Sequence, residues 1–247
     1  MDTLRIQKFV SRDIDWNDFW NAEQLKTTTI LLSAPLLLTA QRYYGSMEFF
    51  IEHFVQQTPF QEQDLFAAIY FFCSSFLLLG VVPLLLVRFV FRERLRDYGL
   101  CLGDWRSGLL ALLILTPLIA LALLLPSSYQ EDFRTYYPFA KSVESTFDRF
   151  VLFEMLRGLL FYSAWEFFFR GFMLLGLKST FGAWQSVLIQ VIPSCLWHIG
   201  TPDGEIFGSI VGGILFGVLV LRTRSLMYAF ILHWSIGFLL DFFILYL

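Results

Sequence analysis

Residues 162–171 read Tyr-Ser-Ala-Trp-Glu-Phe-Phe-Phe-Arg-Gly. One carboxylate, Glu166, and one guanidinium, Arg170, sit inside an otherwise apolar run. Four residues apart on a helix, they stand on one face and can meet. Holding an ionisable side chain at membrane depth costs several kcal/mol, so such a group marks a functional site by default. Two later apolar runs each carry one histidine, His198 and His233. Glu166 and these two imidazoles read as an active site, with Arg170 beside the carboxylate and the other helices as support.

The rest of the chain supplies the membrane. Its 247 residues are 57% hydrophobic and 16% charged, against about 25% charged for a soluble domain. Mean hydropathy is +0.62. Apolar runs cover roughly 28–44, 65–90, 108–126, 150–177, 183–199, 206–221 and 226–247, and a spanning helix needs about 20 residues. The pattern predicts an all-α polytopic transmembrane helix bundle over 28–247. It has seven spans, or eight if the long fourth run divides around Gly158. Long Leu/Phe runs without period-2 alternation argue against an outer-membrane barrel.

A net charge of -3 with no concentrated basic patch argues against a nucleic-acid partner. Cys73, Cys101 and Cys195 form neither a disulfide framework nor a CxxC site. Cys195 and His198 make a lone CxxH, for which packing is the simpler reading. Residues 1–27 mix acids and bases without an apolar h-region, so they do not read as a secretory signal. Trp16, Phe19 and Trp20 suit an interfacial segment, with a disordered tail as the alternative.

Loop charge orients the bundle. Arg88, Arg92, Arg94, Arg96 and Arg106 flank the second link, Lys178 lies in the fourth, and Arg222 and Arg224 in the sixth. The intervening loops carry Glu48, Glu52, Glu62 and Asp64, then Glu131, Asp132, Glu144 and Asp148, then Asp203 and Glu205. This alternation fits seven spans in a cell membrane with the N-terminus cytoplasmic. The acidic loop 127–149 can form an interfacial helix or a lid. In the sixth run, Gly208, Gly212, Gly213 and Gly217 have small-xxx-small spacing, which predicts close helix packing that draws the two histidine helices together.

Each candidate residue also admits a structural reading. Glu166 and Arg170 can be a buried ion pair, and His198 an interfacial residue beside Trp197. Asp241 lies two helical turns beyond His233, where it can orient that imidazole or sit near a helix end. Glu205 can cap the helix that follows it. Glu154 and Arg157, spaced i,i+3, read as a structural pair. A carboxylate and two imidazoles suit hydrolysis by activated water, one His facing the oxyanion. Zinc hydrolysis competes, although HExxH is absent. Ser163, Ser194 and Cys195 lack a nucleophile signature. A proton-relay transporter would show paired broken helices or internal symmetry, and neither is present. Helix rise spreads the three groups over about 10 Å, which tilt must close.

The segment Glu-Phe-Phe-Phe-Arg-Gly (166–171), a His ending the next span, and a His inside the last span after Arg-Thr-Arg-Ser together resemble the CPBP family. These are the CAAX-prenyl-protease-2-like or Abi membrane endopeptidases, and the likeness covers about 110–247. The resemblance implies a metal-independent glutamic endopeptidase acting on a membrane-associated or exported protein or peptide, with no cofactor. In that family the first motif is Glu-Glu-x-x-x-Arg, the second ends in His, and the third is His-x-x-x-Asn. Glutamate and the second-motif His activate water, while the third-motif His and Asn stabilise the oxyanion.

This chain departs at Trp165, the usual first Glu, at Gly237, the usual Asn, and at Ser194, often Phe. The resemblance therefore assigns Glu166 as base or water ligand, Arg170 as its partner, His198 as second water ligand and His233 as oxyanion-side group. Asp241 and Glu205 are supporting residues, the latter through a bacterial His-x-Gly-x-Pro-x-x-Glu pattern. An inactive membrane scaffold or immunity protein is the alternative that the two departures allow.

Overall fold

The computed structural model describes residues 21–247. Trp16, Phe19 and Trp20 lie outside the described residues. Within them the chain is helical: α1 Ala22–Tyr44, α2 Met47–His53, α3 Phe60–Val90, α4 Trp105–Ser127 and α5 Glu131–Tyr136. There follow α6 (147–181), α7 Ala183–Trp197, α8 Asp203–Thr223 and α9 Met227–Tyr246. Short polar residues start several of them. Asn21, Ser46, Asp104 and Thr146 each accept a bond from a backbone N–H in the first turn, satisfying donors that no helix can satisfy itself.

Of these helices, α3, α4, α8 and α9 are long and apolar enough to cross a membrane. The lipid-facing character is plainest on α4, where Leu110, Leu113, Leu118 and Leu121 are all exposed. Such a continuous apolar surface is stable only against hydrocarbon. The three remaining long rods depart for identifiable reasons. α7 has only 15 residues. α1 carries Lys26, Gln41 and Arg42. α6 carries Glu154, Arg157, Glu166 and Arg170, all buried inside the protein.

The bundle is assembled around α6. At about 1.5 Å per residue, 147–181 extends roughly 50 Å, well beyond a hydrocarbon core of about 30 Å. The rod does not divide at Gly158. It passes through widened i→i+5 turns at 157–162 and again at 167–175. Gly158 serves packing instead: a Cβ there would lie 2.5 Å from the Trp234 ring. Seven long rods result among the described residues, one for each apolar run, and the division that would give an eighth is absent. Trp165, Phe168, Phe169, Phe172 and Leu174 form the buried middle of the core on α6.

The glycine-rich α8 uses only part of its pattern. Cβ atoms at Gly213 and Gly217 would meet Val191 at 3.0 Å and both Leu174 and Val187 at 3.1 Å, so this face lies tightly on α7 and α6. Gly208 and Gly212 meet nothing within 4 Å among the described residues, so the expected close approach does not extend to them. The connection 128–146 folds inward as a cover. Tyr137, Ala140 and Val143 are buried, and Asp64 Oδ2 accepts the Ser142 backbone N–H at 2.8 Å, tying the cover to α3.

Candidate active site

Local sequence explains how the charged groups are held. On α6, Arg170 Nη1 lies 3.2 Å from Glu166 Oε1, the i,i+4 contact expected from spacing. The approach is a charge contact rather than an aligned hydrogen bond. The same oxygen accepts from His233 Nδ1 of α9 at 2.7 Å. Glu166 and His233 thus meet despite the separation that helix rise gives. Glu166 and Arg170 are 1% and 2% exposed, whereas the His233 side chain keeps 18%. Glu166 is fully enclosed, and its histidine is the partner that reaches open space.

That open space is a chamber of about 380 Å³ lined by His198, His233, Glu205, Tyr137, Tyr162 and Trp165, among others. Trp165 stands between the imidazoles, its ring centroid 5.6 Å from that of His198 and 6.5 Å from that of His233. Glu166 is not part of the lining. Besides Glu48 of α2, the carboxylate lining the chamber is Glu205, in the first turn of α8. It lies 3.7 Å from His198 Nε2 and accepts from the Tyr137 hydroxyl at 2.8 Å on both oxygens. Burial pushes the Tyr137 phenol well above its ordinary range, so it stays protonated and donates. Glu205 thus combines a first-turn position on α8, where a carboxylate suits the helix dipole, with bonds across to Tyr137.

His198 follows α7 directly, and its orientation is set by the helix end. Nδ1 lies 2.7 Å from the Ser194 carbonyl oxygen and donates to it. The ring therefore presents an unprotonated Nε2 towards Glu205. Ser194, at the position where Phe is often found in the family motif, contributes through its backbone.

Asp241 does not touch His233. Its Oδ2 accepts from Arg157 Nη1 at 2.9 Å, and the same nitrogen donates to Glu154 Oε1 at 3.0 Å. The expected Glu154–Arg157 pair is thus a buried triad that ties α6 to α9. Its guanidinium also lies over the rings of Phe139, Tyr162 and Tyr137 at 4.8, 5.2 and 5.6 Å.

Both departures from the family motifs are filled by other side chains. A Cβ at Gly237 would come within 2.1 Å of the Tyr162 hydroxyl, so that hydroxyl occupies the space an Asn side chain would enter. Tyr162 makes no side-chain hydrogen bond among the described residues and lines the chamber. Trp165 stands at the position of the first Glu, and Glu205 lines the chamber from α8. Sequence reading misses Tyr137 and Tyr162. Tyr162 stands four residues before Glu166 on the same helix face, which is a usable signal; Tyr137 offers none, because its partner lies 68 positions away.

Among the described residues no three His, Cys, Asp or Glu side chains gather closely enough to hold one metal ion. The carboxylates and imidazoles divide into two pairs, Glu166–His233 and Glu205–His198. Cys195 is a free thiol whose Sγ lies 3.9 Å from the Ile206 carbonyl, and Cys73 and Cys101 are also free.

Residues 148–239 match the family model of the type II CAAX prenyl endopeptidase Rce1-like proteins. This stretch is thus similar to the CPBP family. The match starts in the first turn of α6 and ends within α9. It takes in Glu154, Arg157, Glu166, Arg170 and both chamber histidines, and it stops short of Asp241. The family is one of membrane proteases. No curated protein and no solved structure matches the chain.

Proposed function

We propose that this protein is an intramembrane endopeptidase that hydrolyses a peptide bond of a membrane-associated or exported protein. The observation carrying this reading is the 3.7 Å gap between His198 Nε2 and Glu205 Oε1 at the chamber wall. That separation is too long for a direct hydrogen bond and lets one water, seated on the chamber side, bond to both. Water attacks the carbonyl carbon and passes a proton to His198 Nε2, with Glu205 holding the second hydrogen. The oxyanion forms against the Tyr162 hydroxyl and, when His233 is protonated, against its Nε2–H. Collapse breaks the C–N bond, and His198 returns the proton to the leaving amine.

Glu166 then acts through His233. Its carboxylate fixes the imidazole's Nδ1–H, and Arg170 fixes the carboxylate, so both are positioning residues. This reading puts the water-side carboxylate on Glu205 rather than on Glu166. A helical substrate must unwind to expose its carbonyl, which an open, partly polar chamber at this end of the bundle permits. Asp241 serves the Arg157 triad and has no part in the reaction. The proposed setting is a cell membrane with the N-terminus on the cytoplasmic side.

The test is a comparison of membrane-protein and exported-protein termini from cells with the chain, without it, and with His198→Ala. Termini lost in both the deletion and the variant support hydrolysis. Processing that survives in His198→Ala overturns it. Trp165 at the first-motif Glu favours a second reading, a non-catalytic membrane scaffold, which predicts unchanged termini in every arm. Cleavage that stops with chelator and returns with zinc would favour the metal reading.

A further inference from the structure

A second cleft lies at the opposite end of the bundle from the chamber. Glu205 opens α8 and Thr223 closes it, so the two sites stand roughly 30 Å apart at about 1.5 Å per residue. The cleft has a volume of about 740 Å³ and is lined by residues from 96–104, by Leu175 and Lys178 on α6, and by 220–224. That volume suits a small ligand, since such sites run about 300–1,000 Å³. Four cations face it, Arg96, Lys178, Arg222 and Arg224, against two carboxylates, Asp97 and Asp104. Asp104 is already engaged, by Arg222 at 3.0 Å and by the Ser107 hydroxyl at 2.8 Å. Among the described residues Arg96, Lys178 and Arg224 have no carboxylate within ion-pair reach.

The walls are built rather than loose. Asp104 N–H donates to the Thr223 carbonyl at 2.7 Å and Leu226 N–H to the Gly99 carbonyl at 2.9 Å. The Ser225 hydroxyl donates to the Cys101 carbonyl at 2.5 Å and the Tyr228 hydroxyl to the Leu102 carbonyl at 2.9 Å. Two loops are thereby zipped into one surface.

Arg224 supplies an independent observation. It ends α8 with φ 56 and ψ 33, in the left-handed region where glycine is the usual C-terminal residue. A residue with a Cβ is strained there. Arg224 is exposed and lines the cleft.

We propose that this basic cleft binds a phosphate-bearing anion at the membrane surface, the headgroup of an acidic phospholipid or a soluble phosphate. The setting favours this chemistry: three cations unpaired among the described residues, a rigid backbone wall, and a position at the end that the basic loops mark as cytoplasmic. Bound there, the anion bridges the end of α6 to the link that enters α9, the helices that carry Glu166 and His233.

The experiment uses the purified full chain in detergent, titrated separately with phosphatidylglycerol, phosphatidylcholine and inorganic phosphate, with thermal unfolding as readout. Phosphatidylglycerol at 100 times its dissociation constant should stabilise by about 2.7 kcal/mol, while phosphatidylcholine leaves Tm unchanged. A rise with inorganic phosphate alone identifies the soluble source. The combined Arg96→Gln, Lys178→Gln and Arg224→Gln variant should weaken binding at least tenfold, and added salt should weaken it in the parent.

Arg224→Gly keeps the test interpretable. Glycine relaxes the left-handed turn, so the ligand-free Tm should stay level or rise while affinity falls. Equal responses to the two lipids, or an unaffected triple variant, overturn the proposal. So does binding that emerges only when residues 2–20, with Asp13, Asp15 and Asp18, are deleted, since the cleft would then hold the chain's own acidic segment.

Discussion

α6 carries two acid–arginine pairs, and their surroundings differ. Near its start, Arg157 is shared by Glu154 and Asp241, all three deeply buried, with Arg157 bordering the chamber. Further along, Glu166 is shared by Arg170 and His233, and the histidine reaches the chamber. The bonds of the first cluster hold α6 against α9. The second holds the same two helices, and its histidine also lines the chamber. Burial of charge alone therefore does not separate a brace from a site. The separating feature is exposure: no side chain of the first cluster is more than 2% exposed, whereas the His233 side chain keeps 18%.

The largest effect should come from the chamber. His198→Ala is expected to cut cleavage by about 10²–10⁴-fold, the range for losing a positioned general base. Its thermal unfolding should stay close to the parent's, because the ring lies at the cavity wall and bonds to the carbonyl four residues before it. Arg157 should behave in the opposite sense. Arg157→Met strands two buried carboxylates and should cost about 3–5 kcal/mol, read as lost folded yield. Replacing all three members by apolar residues, Glu154→Leu, Arg157→Met and Asp241→Leu, should recover most of that loss. If the single and triple variants are equally destabilised, the view of this cluster as a brace fails.

A smaller effect tests the filled motif positions. Gly237→Ala brings a methyl to 2.1 Å from the Tyr162 hydroxyl, and overpacking of this kind costs about 1–3 kcal/mol. Adding Tyr162→Phe should return part of the stability without returning cleavage. A double-mutant cycle on unfolding and turnover checks both, with a coupling of about 0.5–3 kcal/mol expected for touching residues.

The fold was legible where composition and period decide it. Each apolar run became a helix, and Glu166–Arg170 and Glu154–Arg157 met as their spacing requires, because i,i+3 and i,i+4 contacts are local. What sequence could not decide depended on contacts between distant segments. Asp241 shares a face with His233 but stands two turns, about 12 Å, along the helix, and it accepts from Arg157 of α6 instead. Gly158 reads as a break point and is instead the seat of the Trp234 ring. Glu166 is the obvious carboxylate by its apolar neighbours, but those neighbours are what close it off from the chamber. Glu205 lies in a polar loop where a helix cap is the simpler reading, and only the fold of 128–146 brings Tyr137 down on it.

The smallest expected effect isolates that last contact. Tyr137→Phe removes one hydroxyl that donates to both oxygens of Glu205. The carboxylate can then turn to chamber water, so stability should fall by only about 1 kcal/mol. Turnover should fall by about tenfold, because a carboxylate free to rotate holds the attacking water less well. Glu205→Gln should lower turnover further, and combining it with Tyr137→Phe should add little, since the tyrosine acts through the carboxylate it orients. Independent, multiplying losses in the double variant would mean that Tyr137 touches substrate in its own right. The contrast between the brace and the site would then extend to the cover, with 128–146 belonging to the reacting surface.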